Sequence, residues 1–210
     1  GNHTYTAGIC IIYNGSNGST YADELIINNC VNNGEIEGDT VAGIIGNSSG
    51  NLKLSDCENN GAINGRYSAG GIAQCIENKN SNEAEVSNCI NNGNVFGGAE
   101  AAGIIDYAEG ITVTNCINNG NISSNGYVGG IFSYTSSVKG TGLVNNGKIS
   151  GLEDIGGISA YDEGNSIFSK LYNTGVIDEE NIGAQVSNLV KLGESSTGEE
   201  LEEEHKHDYV

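Results

Sequence analysis

The chain has 210 residues, with 33 Gly, no Pro, no Met, no Trp and a formal net charge of -19. Such a negative field repels phosphate groups, so nucleic acid and anionic membrane surfaces are not expected partners. Ile and Val are frequent enough to supply a core, which argues against a disordered chain and predicts a turn-rich all-β protein. No apolar run reaches the roughly 18–20 residues that a membrane-spanning helix needs.

Two landmarks recur along the chain at the same interval. The triplet Asn-Asn-Gly, with Thr as the second residue of the last copy, begins at Asn32, Asn59, Asn91, Asn118, Asn145 and Asn173, so that the intervals are 27, 32, 27, 27 and 28 residues. The second landmark is Gly followed by Ile, at Gly8, Gly43, Gly71, Gly103, Gly130 and Gly157. Two landmarks in phase indicate one structural unit per interval.

Between the landmarks, apolar and polar residues alternate, as at Leu52 and Leu54 or at Ile111 and Val113. A period of two predicts half-buried strands, and no segment shows the 3.6-residue period of a helix. We therefore predict an all-β, single-stranded, right-handed parallel β-helix solenoid, with about six coils of about 27 residues and three short strands per coil.

The solenoid is expected to span residues 1–192, with polar insertions near residues 14–22 and 77–83 that lengthen two of the copies. Its last apolar residues, Val186 to Leu192, are expected to form a final strand or a lid over the open end. Residues 193–210 are rich in Glu, Ser and Gly and predict an acidic linker followed by the start of a truncated downstream module. The unit is expected to be a monomer within a larger chain.

Stacking of equivalent coils predicts columns of equivalent side chains. A β-branched column that fills the core is predicted at Ile36, Ile63, Val95, Ile122, Ile149 and Ile177. The first Asn of each triplet is predicted to form an inward amide ladder, which donates to one neighbouring coil and accepts from the other. The second Asn and the Gly of the triplet are predicted to take the left-handed backbone conformation.

Four of the six cysteines share one repeat position, which Leu occupies in the last two copies: Cys30, Cys57, Cys89 and Cys116, then Leu143 and Leu171. Replacement by Leu indicates an inward apolar column. Disulfides between coils are within reach, but parallel side chains do not readily give the required torsion, so free thiols are predicted. A metal site is not expected, because no His accompanies these sulfurs.

The carrying motif of the repeat is Asn-Cys-x-Asn-Asn-Gly-x-Ile-x-Gly followed by Ala/Gly-Gly-Ile, over roughly residues 6–185. On this motif the chain resembles the GLUG-type and related glycine-asparagine repeats of surface proteins from gut and oral Gram-positive bacteria. In the immunoglobulin-A-cleaving metallopeptidases, such repeats lie outside the protease domain. The resemblance implies a scaffold with an extracellular, cell-surface location, and the chain has no His-Glu-x-x-His protease motif.

Three tyrosines, Tyr107, Tyr134 and Tyr161, stand four residues after successive landmark glycines. Such a column can serve as a glycan-stacking platform, or it can cover the edge of the core with the hydroxyl groups in water. The alternation of the neighbouring residues leaves both interpretations open.

The acidic residues are interpreted as a solvated surface, because no catalytic pair and no calcium-loop motif recurs. No cofactor is predicted, and surface calcium is left as an alternative. We expect a non-catalytic extracellular repeat module that acts as a rigid spacer, or as an adhesive surface for a host glycan or protein ligand. The alternative is a pectin-lyase-like carbohydrate-active enzyme with an unrecognised carboxylate site.

Overall fold

The computed structural model describes residues 4–11, 25–78 and 84–178, together with two short strands at residues 185–186 and 195–196. None of these residues is in a helix. The chain winds through three sheets, A, B and C, whose strands pair almost entirely in parallel with the equivalent strands of the next coil. The protein is therefore an all-β solenoid with a repeat of about 27 residues, as predicted from the two landmarks.

The strands are numbered along the chain. Sheet A contains β1 (Tyr5–Ala7), β4 (Ile36–Ala42), β8 (Ile63–Gly70), β12 (Val95–Gly97), β13 (Glu100–Ala102), β17 (Ile122–Ser124), β18 (Tyr127–Gly129), β21 (Ile149–Ser150), β22 (Asp154–Gly156) and β25 (Gln185–Val186). Sheet B contains β5 (Ile45–Ser49), β9 (Ala73–Glu77), β14 (Ile105–Glu109), β19 (Phe132–Ser136) and β23 (Ser159–Asp162). Sheet C contains β2 (Leu25–Asn28), β3 (Val31–Asn32), β6 (Leu52–Ser55), β7 (Glu58–Asn59), β10 (Glu85–Ser87), β11 (Ile90–Asn91), β15 (Thr112–Thr114), β16 (Ile117–Asn118), β20 (Lys139–Asn145), β24 (Ile167–Asn173) and β26 (Ser195–Ser196).

Each complete coil passes through sheets A, B and C in turn; in some coils the passage through A or C is one long strand, such as β8 or β20, and in others it is two short strands. In the fourth coil, β12 and β13 lie in sheet A, β14 lies in sheet B, and β15 and β16 lie in sheet C. The three sheets agree with the prediction of three strands per coil, and in the fourth coil bends divide the passages through sheets A and C into pairs of short strands. Sheet B has five strands, which gives about five turns and not six. Among the described residues, the first copy meets sheet B only through the isolated bridge between Cys10 and Ile45.

Two apolar clusters fill each coil. One lies along the passage through sheet A and contains the complete β-branched column, from Ile36 to Ile177, in register and buried. The other lies between sheets B and C and contains Ile44, Leu54 and Cys89 with their equivalents. Because the two clusters are separate, the coil has a narrow middle, which we call the neck, where the Asn of each triplet lies beside the landmark Gly.

The inner asparagine ladder runs through the neck, and it consists of the first Asn of each triplet. The Nδ2 of Asn118 donates to the Gly120 carbonyl at 2.8 Å and to the Oδ1 of Asn145 at 2.7 Å, while its own Oδ1 accepts from Asn91 at 2.7 Å. A buried carboxamide needs all of these partners, because an unsatisfied one costs about 1–3 kcal/mol.

The landmark glycines are required by this ladder. A Cβ added to Gly103 would lie 2.4 Å from the Cγ of Asn118 and 2.2 Å from the carbonyl oxygen of Gly130. Gly43, Gly71 and Gly130 meet their own ladder Asn in the same way. The two sequence landmarks are in phase because they touch each other across the neck.

The left-handed residues are not those predicted. Positive φ angles occur in the column that precedes the cysteines and not at the second Asn or Gly of the triplets: Asn29, Asp56, Asn88, Asn115, Gly142 and Lys170. This column bends the passage through sheet C, for example between β15 and β16. Asn, Asp and Gly tolerate this conformation, so the residue before Cys is one turn signal of the repeat. A second set of positive φ angles lies at the turn from sheet B into sheet C, at Gly50, Gly110, Ser137, Gly164 and Asn165.

The predicted insertions lie largely outside the described residues, and so does most of the expected lid and linker. Two strands from this region are described. β25 adds to sheet A beside β22, and β26 pairs with β24 in antiparallel orientation, unlike the other pairs of strands. An antiparallel strand at the last coil changes the hydrogen-bonding pattern that a further parallel coil would need.

Lys170 is the one residue of the left-handed column with a long side chain, at φ 53°. Lys170→Asn should raise the free energy of unfolding by about 0.5–1 kcal/mol, because Asn relieves part of the strain of this conformation. Urea unfolding measures the change. Lys139→Asn, at an exposed strand position outside the column, is the matched control and should give no gain. An equal gain in both variants would contradict the strain explanation.

Candidate functional site

The cysteine column lies inside the cluster between sheets B and C. Cys57, Cys89 and Cys116 are buried and Cys30 is half-buried. Each thiol of the column donates to the carbonyl oxygen two residues earlier, at 3.1–3.4 Å. The sulfurs are thiols, and no disulfide joins them.

Mutual contacts and burial suppress the reactivity of two of these thiols, Cys89 and Cys57. Hydrogen bonding to Cys116 raises the pKa of Cys89 to about 12, and burial also raises it. Hydrogen bonding to Cys89 and burial raise the pKa of Cys57 well above the usual range. Because the thiolate is the nucleophile and the metal ligand, the column is suited to packing and not to chemistry.

The three tyrosines form a continuous stack on the outer face of sheet B. The ring centroids of Tyr107 and Tyr134 are 4.7 Å apart with planes 7° apart, and those of Tyr134 and Tyr161 are 5.4 Å apart with planes 28° apart. Tyr134 is therefore covered on both faces. Sugars stack on open ring faces, so the column presents ring edges along most of its length. Tyr161, at the end of the stack, is the most exposed of the three at 42%.

The tyrosine hydroxyl groups are held by carboxylates. Tyr107 donates to Glu109 at 3.1 Å, and Tyr134 donates to Glu163 at 2.7 Å. The bond to Glu163 raises the pKa of Tyr134 to about 12, with burial as a further cause. Burial and the charge of Glu109 raise the pKa of Tyr107. Tyr107 and Tyr134 thus stay neutral, and each is fixed by its hydroxyl group as well as by its ring.

Beside the tyrosine stack lies a feature that the sequence did not reveal. We call the turn from sheet A into sheet B the corner; in the fourth coil it joins β13 to β14. Asp106 follows this turn and is fully buried. Its carboxylate accepts from the Oγ of Ser133 at 2.5 Å and from the Nε2 of Gln74 at 3.2 Å.

Glu100 approaches Asp106 from the other side of the corner. In the preceding coil, the equivalent positions are Ser68 and Gln74, whose side chains meet at 3.3 Å. Burial and the charge of Glu100 together raise the pKa of Asp106 to about 7, against the opposing hydrogen bonds from Ser133, Gln74 and Ser68. Burial also raises the pKa of Glu100.

Sequence reasoning missed this pair because it followed recurrent positions. The column of Asp106 reads Gly46, Gln74, Asp106, Ser133 and Ala160, which carries no repeat signal. The hint in the sequence was a column of small or polar residues three positions after each landmark Gly from Gly43 to Gly157.

Among the described residues, no group of three or more His, Cys, Asp or Glu side chains is placed so that it could hold a metal ion. None of these residues belongs to a helix that could cross a membrane. In comparisons with models of protein families, with curated proteins and with solved structures, nothing matches this chain. The function must therefore be argued from the geometry alone.

The thiol column gives a direct chemical test. With iodoacetamide at pH 8, we expect the half-buried Cys30 to be modified first and Cys89 to react at least about a hundredfold more slowly, because so little of it is thiolate. Peptide mass spectrometry measures the rates. The order should persist at pH 10 and disappear in concentrated urea. Equal rates at Cys30 and Cys89 in the folded protein would contradict the buried column.

Proposed function

We propose that the chain is a non-catalytic, extracellular repeat module of a bacterial surface protein, and that it acts as a rigid spacer. The observation that carries this proposal is the unbroken inner asparagine ladder, which bonds every coil to the next from Asn32 to Asn173. A spacer must resist bending and slippage between its units. A buried ladder serves this purpose because any slip leaves carboxamides without partners.

A second ladder supports the first from outside. The second Asn of each triplet is exposed, and Asn119 donates to Asn92 at 2.8 Å while Asn146 donates to Asn119 at 2.8 Å. The inner ladder donates toward the C-terminal coil, whereas the outer ladder donates toward the N-terminal coil. Each triplet therefore donates one hydrogen bond to the following coil and one to the preceding coil. The two ladders together keep each coil in register with both of its neighbours.

The enzyme alternative has one supporting observation, the Glu100–Asp106 pair, because perturbed carboxyl groups are common in active sites. Asp106 is fully buried, however, and a catalytic acid must touch its substrate. The paired basic residues also lie elsewhere, Arg66 beside Asp39 and Lys148 beside Asp178. A non-catalytic role agrees better with this arrangement.

The adhesive alternative depends on the end of the tyrosine stack. Tyr161 leans against Tyr127 at a centroid distance of 6.0 Å, so even this ring is partly engaged. A host glycan or protein would find one exposed ring and not a platform of three. The spacer proposal therefore stands first, with the protein as a monomer within a longer surface chain.

Stiffness can be measured with nitroxide labels at Ile26→Cys and Ile167→Cys, after Cys10 and Cys30 are changed to Ser. Both sites are exposed and lie in one column, five strand steps apart. The expected result is a single narrow distance distribution that corresponds to about 24 Å along the rod.

Asn118→Ala should broaden this distribution, because it interrupts the inner ladder, and the matched exposed variant Asn119→Ala should not. A broad distribution in the protein with both ladders intact would refute the rigid spacer.

A glycan and mucin array tests the adhesive alternative. The expected result is no retained glycan, because Tyr134 has no open face and Tyr161 has only part of one. The variants Tyr161→Ala and Tyr172→Ala, the latter exposed on sheet C, complete the test. Binding that Tyr161→Ala abolishes and Tyr172→Ala preserves would replace the spacer by an adhesin.

A further inference from the structure

The corner carries a different pair of side chains in each coil. Across it stand Thr40 and Gly46, then Ser68 and Gln74, Glu100 and Asp106, Tyr127 and Ser133, and finally Asp154 and Ala160. Among these five pairs, only that of the fourth coil has a carboxyl group on both sides. We propose that Glu100 and Asp106 form a proton-dependent lock, which holds the corner between β13 and β14 closed in acid and loosens it as the solution approaches neutral pH.

The proposal rests on the burial of two carboxyl groups that face each other across the corner. Asp106 has no exposed surface, and Glu100 is only partly exposed. Ionising both carboxyl groups would cost free energy, because Asp106 is buried and the two negative charges repel each other. Asp106 therefore keeps its proton while the corner stays closed. The residues at the turn itself, Ala102, Ile104 and Ile105, are also fully buried, so water does not reach Asp106 through the turn.

The groups that face Asp106 offer no compensating positive charge. Its neighbours along sheet B are Gln74 on β9 and Ser133 on β19, both of which bond to it. Across the corner are Ser68 on β8, Glu100 on β13 and Tyr127 on β18, of which Glu100 and Tyr127 are titratable. Arg66, also on β8, is exposed and contacts Asp39 and the ring of Tyr67 instead.

The sign of the effect follows from the raised pKa of Asp106, about 7 in the folded protein against 3.8 for a free side chain. Between these two values the folded protein keeps a proton that the unfolded chain releases. Stability contributed by this proton is therefore complete below about pH 4 and is lost as the pH rises to about 7. Above about pH 7 both states are ionised and the dependence ends.

The lock should control local opening as well as global stability. Backbone bonds from Gly103 to Gly129 at 3.2 Å and from Ile104 to Ile131 at 3.1 Å hold the corner of the fourth coil to the fifth. When Asp106 loses its proton, repulsion between its carboxylate and that of Glu100 acts beside these bonds. Hydrogen exchange at Gly103 and Ile104 should then accelerate beyond the intrinsic effect of pH.

The test compares the unmodified chain with Asp106→Asn in urea unfolding between pH 5 and pH 7.5, where the ordinary carboxyl groups are already ionised. In the unmodified chain the unfolding equilibrium constant should rise by up to about tenfold per pH unit below pH 7. Asp106→Asn should remove this slope, and Glu100→Gln should move it to lower pH. Asp56→Asn, the same change at an exposed position, should leave it intact.

Equal slopes in the unmodified chain and in Asp106→Asn would overturn the proposal. If Asp106→Asn does not fold, carbon NMR of the Asp106 carboxyl in the unmodified protein decides instead. A titration midpoint near pH 4 would then refute the lock, and a midpoint near 7, together with accelerated exchange at Gly103 and Ile104 above it, would support it.

Discussion

The hydrogen bond from one buried carboxamide to the next is the interaction on which this fold depends. Asn is the side chain that can donate twice and accept in the narrow neck, and each ladder Asn uses these capacities within its own turn and toward both neighbouring coils. The landmark Gly must lack a side chain because the ladder presses against it. The repeat is thus defined by a polar ladder at its centre, with the two apolar clusters placed on either side.

This arrangement explains why the repeat tolerates variation in length. The ladder bond between Asn59 and Asn91 is 2.7 Å long although 32 residues separate them, and the bonds across 27 residues have the same length. Residues added outside the neck leave the register unchanged, since the next Asn returns to the same place. Segments outside the neck can therefore vary in length, whereas the segments that contact the ladder cannot.

Most features that recur in every coil could be predicted from the sequence, and features that occur in one coil could not. The interval, the β-branched column and the Cys-to-Leu column follow from equivalent positions in stacked coils, and the structure has them in register. The turn residue was misplaced because Asn occurs in the triplet and before each Cys, and composition alone does not distinguish which Asn is left-handed. The tyrosine column was found by spacing, but whether its faces would be open depended on ring orientation, which no spacing encodes.

The pair at the corner was beyond such reasoning for a physical reason. In a parallel stack, equal side chains repeat about every 4.8 Å, and like charges at that distance repel by about 1 kcal/mol in water and several times more when buried. A buried ladder can therefore be built from neutral Asn but not from Asp or Glu, so a buried carboxyl group such as that of Asp106 lies at a position that does not recur. Asp106 and Glu109 both lie on β14, with Glu100 just before it and Glu77 in register beside it. Four carboxyl groups thus lie on or beside β14, and of these four only that of Asp106 is fully buried. The proposed dependence of stability on pH therefore centres on this strand.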